Sequence, residues 1–117
     1  TGFLPVLQAD GVITKIEDAA TNNVPISYKL QQNYPNPFNP STKISFSLPR
    51  KGVIRLIVYD VLGRQVRILT DRVFAPGYHT VEWDGTDDVG ETVSSGVYYY
   101  RATVGNEVIT KKMLILR

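Results

Sequence analysis

The chain has 117 residues, enough for one domain of ordinary size with a substantial core. Hydrophobic residues make up 43% and charged residues 21%, a globular rather than a disordered composition. A formal charge of +2 with no long run of like charges gives no footprint for nucleic acid, and no apolar stretch is long enough to span a bilayer as a helix. With no cysteine, disulfides, thiolate metal sites and thiol nucleophiles are excluded together. The N-terminal stretch Thr1 to Gly11 has neither a basic region nor a long apolar run, so it does not read as an export signal.

Residues 1–26 hold the soft patch Asp18 to Asn23 and are punctuated by Pro5 and Pro25. They read as a linker from an upstream segment, with Phe3, Leu4, Val6 and Leu7, or Val12, Ile13 and Ile16, available to dock as an extra strand. From Ser27 the pattern becomes regular. A short strand is expected at about Tyr28 to Gln31. Ile44, Phe46 and Leu48 alternate with Ser45 and Ser47, the period of two that marks a strand with one buried face. Pro49 to Gly52 breaks it, and Val53 to Tyr59 follows with Ile54, Leu56 and Val58 on one face and Val53, Ile57 and Tyr59 beside Arg55 on the other. Asp60 to Gly63 reads as a hairpin turn in which Gly63 takes the positive φ of a bulged type I turn. A return strand is expected from about Gln65 to Leu69. After the turn Ala75 to Gly77 comes Tyr78 to Trp83, with Val81 and Trp83 inward. The turn-rich stretch Asp84 to Gly96 leads to Val97 to Val104, where Tyr98, Tyr100, Ala102 and Val104 share a face. Gly105-Asn106 turns the chain into Glu107 to Arg117. Seven short strands without an amphipathic helix predict an all-β antiparallel sandwich of two stacked sheets. Its expected core contains Ile44, Phe46, Leu56, Val58, Val81, Trp83, Tyr98, Tyr100 and Ala102.

Several segments carry a resemblance. Gln32-Asn33-Tyr34-Pro35-Asn36-Pro37-Phe38-Asn39-Pro40-Ser41-Thr42 is followed by Ile44 to Pro49, then by Val58-Tyr59-Asp60-Val61-Leu62-Gly63-Arg64. Ala75-Pro76-Gly77-Tyr78-His79, Val81-Glu82-Trp83-Asp84-Gly85, Ser95 to Arg101 and the terminal Lys111-Lys112-Met113-Leu114-Ile115-Leu116-Arg117 complete the set. In this order, over about three quarters of the chain, they resemble the type A C-terminal sorting domains of the type IX secretion system. The fold of that family is similar to the immunoglobulin-like domain of flagellar hook-capping proteins. The resemblance implies an immunoglobulin-like sandwich over residues 27–117 that carries an attached cargo protein through the outer membrane. Its implied partners are the type IX translocon and a surface sortase, with no nucleic acid and no cofactor. Its implied location is the medium or cell surface of a Gram-negative bacterium, reached through the periplasm. It also implies that the domain is not itself an enzyme.

Each candidate site has two readings. In Asn33 to Pro40 the three prolines fix their own φ and push the residues before them out of the α region. The segment, with Asn33, Pro35, Pro37, Phe38 and Pro40 as its motif residues, is expected to cross rigidly between the sheets with Tyr34 and Phe38 as pegs into the core; direct recognition by the translocon is the alternative. The same framework role is expected of Gly63, Trp83, Gly96 and Tyr98. Asp84, Asp87, Asp88 and Glu91 place four carboxylates within eight residues. Hard oxygens at that density suit a cation, although the spacing does not fit a twelve-residue calcium loop and Asp and Gly are ordinary turn residues. His79, the one histidine, lacks the partners of a triad or a zinc site and is expected to pack at the edge of the core. Tyr98, Tyr99, Tyr100 and Trp83 could form a sugar-stacking platform, which gives the second functional reading: a non-catalytic carbohydrate-binding or spacer module of a secreted enzyme. Lys111, Lys112, Met113 and Arg117 are the expected recognition residues of the terminal strand, against the plain reading that its lysines solvate an edge strand.

Overall fold

The computed structural model describes residues 24–117. The alternation in the sequence translates into seven strands: β1 (Lys29–Leu30), β2 (Thr42–Leu48), β3 (Gly52–Tyr59), β4 (Gln65–Phe74), β5 (Gly77–Trp83), β6 (Gly96–Val104) and β7 (Glu107–Ile115). They form two antiparallel sheets, β1-β2-β5 and β4-β3-β6-β7. The expected immunoglobulin-like antiparallel sandwich is what the chain adopts. The docking of Phe3 to Leu7 or Val12 to Ile16 falls outside the described residues.

Each sheet buries one face because its strands alternate. Ile44, Phe46 and Leu48 of β2 meet Ile54, Leu56 and Val58 of β3, with Trp83, Tyr98, Tyr100, Ala102, Met113 and Ile115 completing the core. All the expected core residues lie there except Val81, which packs against the cluster while partly exposed. Phe46, Phe74 and His79 stack at one margin, the two phenylalanine rings edge-on at 5.1 Å and His79 4.9 Å from Phe74. His79 Nε2 lies 2.8 Å from the Ala75 carbonyl oxygen, so the histidine packs at the core's edge as its alternation indicates.

Two features depart from the simple pattern. β4 runs on to Phe74, five residues beyond its expected end. Register shifts opposite Leu56/Ile57 and Val58/Tyr59 leave Leu69 and Val66 without direct partners, and both turn toward the core. Such bulges reset alternation, which is why Thr70 to Val73 do not read as a continuation of the strand. Ile57 faces away from the core yet is only 5% exposed. It sits on a central strand, paired with Ile68 on β4 and Arg101 on β6.

The register also fixes two ends. The chain before β1 joins near Ser47, whose hydroxyl donates to the Ser27 carbonyl at 3.4 Å, beside Leu48 and Gly77. The Asp60–Arg64 hairpin, the Asp84–Gly96 loop and Arg117 gather at the opposite end.

Candidate functional site

The proline-rich segment and the terminal strand form one unit. Asn33 to Thr42 leaves the three-stranded sheet, where Tyr34 bridges Lys43 of β2, and reaches the four-stranded sheet, where Phe38 makes a parallel bridge to Ile115 of β7. Its three X-Pro bonds, Tyr34-Pro35, Asn36-Pro37 and Asn39-Pro40, are all cis. The segment links β1 and β2 of one sheet and reaches the other sheet at Phe38 on the way, rather than crossing from sheet to sheet, and only one of its two expected pegs enters the core. Phe38 is 2% exposed with its ring 5.6 Å from Trp83, whereas Tyr34 is 80% exposed. Tyr34 spends its backbone N–H and C=O on Lys43, and in that register its side chain leaves the core.

β7 is an edge strand, and an uncovered edge offers a row of unpaired N–H and C=O groups. Here the proline-rich segment covers the last part of that row. Phe38 N–H donates to the Leu114 carbonyl and the Leu116 N–H donates to the Phe38 carbonyl, both at 3.1 Å. The Leu114 N–H donates to Asn36 Oδ1 at 3.0 Å, and Gln32 Nε2 donates to the Lys112 carbonyl at 2.7 Å.

A buried polar network anchors the segment. Asn33 is 2% exposed; its Nδ2 donates to Thr42 Oγ1 at 3.0 Å and to the Pro35 carbonyl at 3.1 Å, while Oδ1 accepts from Gln32 Nε2 at 2.7 Å. Thr42 Oγ1 donates to the Pro35 carbonyl at 2.8 Å. From the other sheet, the Tyr100 hydroxyl accepts from the Asn33 N–H at 2.8 Å and donates to the Gln31 carbonyl at 2.7 Å. Burial pushes the Tyr100 phenol up to about 12, against the smaller opposing effect of the Asn33 amide. Sequence reading found Tyr100 as a core ring and Asn33 as a motif residue; their meeting across 67 residues had no local signal.

The terminal residues divide. Met113 is 1% exposed and belongs to the core. Lys111 pairs with Tyr100 on the core side of β7 and is half-buried, while Lys112 pairs with Tyr99 on the outer face and is exposed. The four residues thus do not share one surface. Arg117 is bound by its own domain: its N–H donates to Ser95 Oγ at 2.9 Å, Nε to the Val93 carbonyl at 2.7 Å and Nη2 to the Gly85 carbonyl at 2.9 Å. Gly85 has φ +77, and a side chain there would collide with Arg117 and crowd the Pro40 carbonyl. A glycine is needed for both reasons.

In the Asp84–Glu91 stretch the carboxylates serve the loop. Asp84 Oδ1 accepts from the Thr86 hydroxyl and amide, at 2.5 and 3.1 Å. Asp87 Oδ1 accepts from the Val89 and Glu91 amides, and Asp88 accepts from the Ile68 amide and Gln65 Nε2. The Thr86 hydroxyl holds the Asp84 carboxyl below its ordinary range, and the Ile68 amide does the same for Asp88. Among the described residues no three His, Asp or Glu side chains converge as a metal site. Trp83, Tyr98 and Tyr100 are core side chains, so of the four rings in the conceivable sugar platform only Tyr99 faces outward. Gly96, with φ +147, opens β6 just after the loop, and the Tyr98 hydroxyl donates back to the Ser94 carbonyl at 2.8 Å.

The FlgD Ig-like domain family matches residues 32–107, well over half of the chain. The chain belongs to that family. Among solved structures it is similar to dimeric latent PorU from Porphyromonas gingivalis, with TM-score 0.62 and 22% identity over 73% of this chain. It is also similar to PorZ from the same organism, a surface component of the type IX secretion system, with TM-score 0.50 and 20% identity over 77% of this chain. FlgD from P. aeruginosa matches with TM-score 0.54 and 22% identity over 81% of this chain and 74% of its own. The chain spans only 9% of the PorU chain and 11% of the PorZ chain. At these identities the likeness is one of fold. Comparison with curated protein sequences finds no match.

Proposed function

We propose that this member of the FlgD Ig-like family is a non-catalytic C-terminal sorting domain. It directs an attached cargo protein through the outer membrane by the type IX translocon, for release or for anchoring at the cell surface by a sortase. The observation that carries the reading is the clasp. The two segments on which the resemblance rests most, Gln32 to Thr42 and Lys111 to Arg117, are joined by hydrogen bonds between Gln32, Asn36 and Phe38 on one side and Lys112, Leu114 and Leu116 on the other. A signal carried by both segments is then one folded unit rather than two separate peptides. The fold shared with PorU and PorZ supports the same direction.

The test is a fusion of this chain to the C-terminus of a reporter that already reaches the periplasm, in a host with the type IX machinery. The reporter is expected at the cell surface or in the medium, and deletion of Lys111 to Arg117 is expected to strand it in the periplasm. Because the deletion removes most of a core strand, the Lys111→Gln, Lys112→Gln double variant separates folding from recognition. Exposed Lys112 can usually be exchanged within about 0.5 kcal/mol, and half-buried Lys111 keeps its aliphatic stem as Gln, so a urea midpoint checks that the double variant is folded. A folded double variant left in the periplasm places recognition on the lysines, and normal export returns them to a solvating role. Surface delivery unaffected by the whole deletion would defeat the sorting reading.

A further inference from the structure

The β3–β4 hairpin tip carries the wrong residues for an idle turn. Turn positions favour Gly, Asn, Asp, Ser and Pro, yet Val61 and Leu62 stand there 64% and 73% exposed. They are held firmly. Asp60 Oδ1 accepts from the Leu62 and Arg64 amides, each at 2.9 Å, and Oδ2 accepts from Arg64 Nε at 2.8 Å. The Gly63 N–H donates to the Asp60 carbonyl and the Asp60 N–H to the Arg64 carbonyl, both at 3.0 Å. Two apolar side chains are displayed on a braced turn, so a partner that covers them has little ordering left to do.

Their surroundings extend the surface. Asp60, Val61, Leu62 and Arg64 face Ser95 and Val97 across a shallow recess of about 250 Å³. Val97 pairs with Leu114 on the outer face, and Leu116, 54% exposed, follows beside Arg117, whose amide is tied to Ser95. Next comes the row Tyr59, Tyr99, Lys112, with the Arg101 guanidinium 5.0 Å from the Tyr59 ring centre. The charge there is one-sided. Asp60 is paired with Arg64 and Asp71 with Arg55, while neither Arg101 nor Lys112 has a carboxylate partner among the described residues. An apolar tip flanked by uncompensated cations is complementary to an apolar pocket rimmed with carboxylates.

We propose that the Val61–Leu62 tip and the adjoining Val97, Leu114, Lys112 face form the surface by which this domain docks onto a protein partner that presents an apolar pocket with an acidic rim. The inference rests on the sorting reading, and the partner it concerns is the translocon. The surface lies at the end remote from Ser27, which meets Ser47 near the Leu48–Gly77 pair, so docking leaves the N-terminal side of the domain clear.

The experiment uses the whole chain fused to the periplasmic reporter, with Leu62→Asp, Lys112→Glu and, as a control at the other end, Ile26→Asp at a residue 97% exposed. Leu62→Asp and Lys112→Glu are each expected to cut surface delivery at least about tenfold while keeping the thermal midpoint of the purified chain within about 2 °C of wild type. Ile26→Asp is expected to be delivered normally. If Leu62→Asp lowers the midpoint, Leu62→Ser replaces it, with the same loss expected. Normal delivery of folded Leu62 and Lys112 variants overturns the docking surface while the sorting reading stands; a wild-type fusion that is never delivered overturns both. Saturable binding of dextran sulfate to the purified chain, lost in Lys112→Glu but kept in Leu62→Asp, would assign the cations to an anionic glycan and overturn the protein partner.

Discussion

Tyr100→Phe isolates the bond between the two sheets. The ring is fully buried, and its hydroxyl serves the Asn33 N–H and the Gln31 carbonyl at 2.8 and 2.7 Å. Phenylalanine keeps the ring and leaves two backbone groups without their partner. Each buried orphan costs about 1–3 kcal/mol, and partial rescue by water at the segment's exposed side favours the lower end, so the expected loss is about 2–3 kcal/mol. The assay is urea unfolding at pH 7, read as a midpoint shift with unchanged slope. The pH dependence supplies a second measurement. Burial holds the phenol at about 12 in the folded state against its ordinary 10.0. A raised folded-state pKa contributes stability that is fully present below pH 10 and is lost as pH rises through about 12. Two units correspond to about 2–3 kcal/mol. The stability difference between wild type and Tyr100→Phe is therefore expected to be constant up to pH 10 and to shrink by about that amount by pH 12. A variant within about 0.5 kcal/mol of wild type at pH 7 refutes the argument that this hydroxyl joins the sheets, and a difference that stays flat from pH 9 to 12 refutes the burial that raises the phenol.

Gly63→Val is expected to lower stability by more than about 1 kcal/mol: the backbone there has φ +80 with no atom within 4 Å of an added Cβ, so strain is the sole cost, and an unchanged urea midpoint would remove the turn from the account. Phe38→Ala is expected to cost about 3–5 kcal/mol, because it empties a site against Trp83 and loosens the cover of β7; a loss below about 1 kcal/mol by thermal or urea unfolding would show that the segment is not anchored in the core. The carboxyls of Asp84 and Asp88 are both lowered from 3.8, so their contribution is present above pH 3.8 and is lost as pH falls through their folded-state values. Acid unfolding of the Asp84→Asn, Asp88→Asn variant is accordingly expected to be less steep below pH 4 than that of wild type, and equal slopes would contradict the assignment.

Strand existence and most strand faces were legible because they depend on neighbours two residues away. Ile44, Phe46 and Leu48, or Tyr98, Tyr100 and Ala102, announce a buried face by alternation, and Asp60 with Gly63 announces the hairpin that the turn's own hydrogen bonds require. Where alternation is reset, the sequence falls silent. The bulges at Leu69 and Val66 hid the second half of β4, and Ile57, on the outer face but flanked by β4 and β6, is buried without any local signal. Among the prolines, composition established stiffness but not direction: Tyr34 and Phe38 look alike as pegs, and only the register with Lys43 and the bridge to Ile115 send one outward and the other into the core. The same holds for the terminal basic residues. Their charges are plain in the sequence, yet Lys111 and Lys112 fall on opposite faces of β7 and Arg117 is engaged by three groups from residues 22 to 32 positions earlier. Local steric and periodic rules determine what each segment forms. Which edge is covered, and by which segment, depends on sheet order and long-range hydrogen bonds, and those exist only once both sheets have closed on a common core.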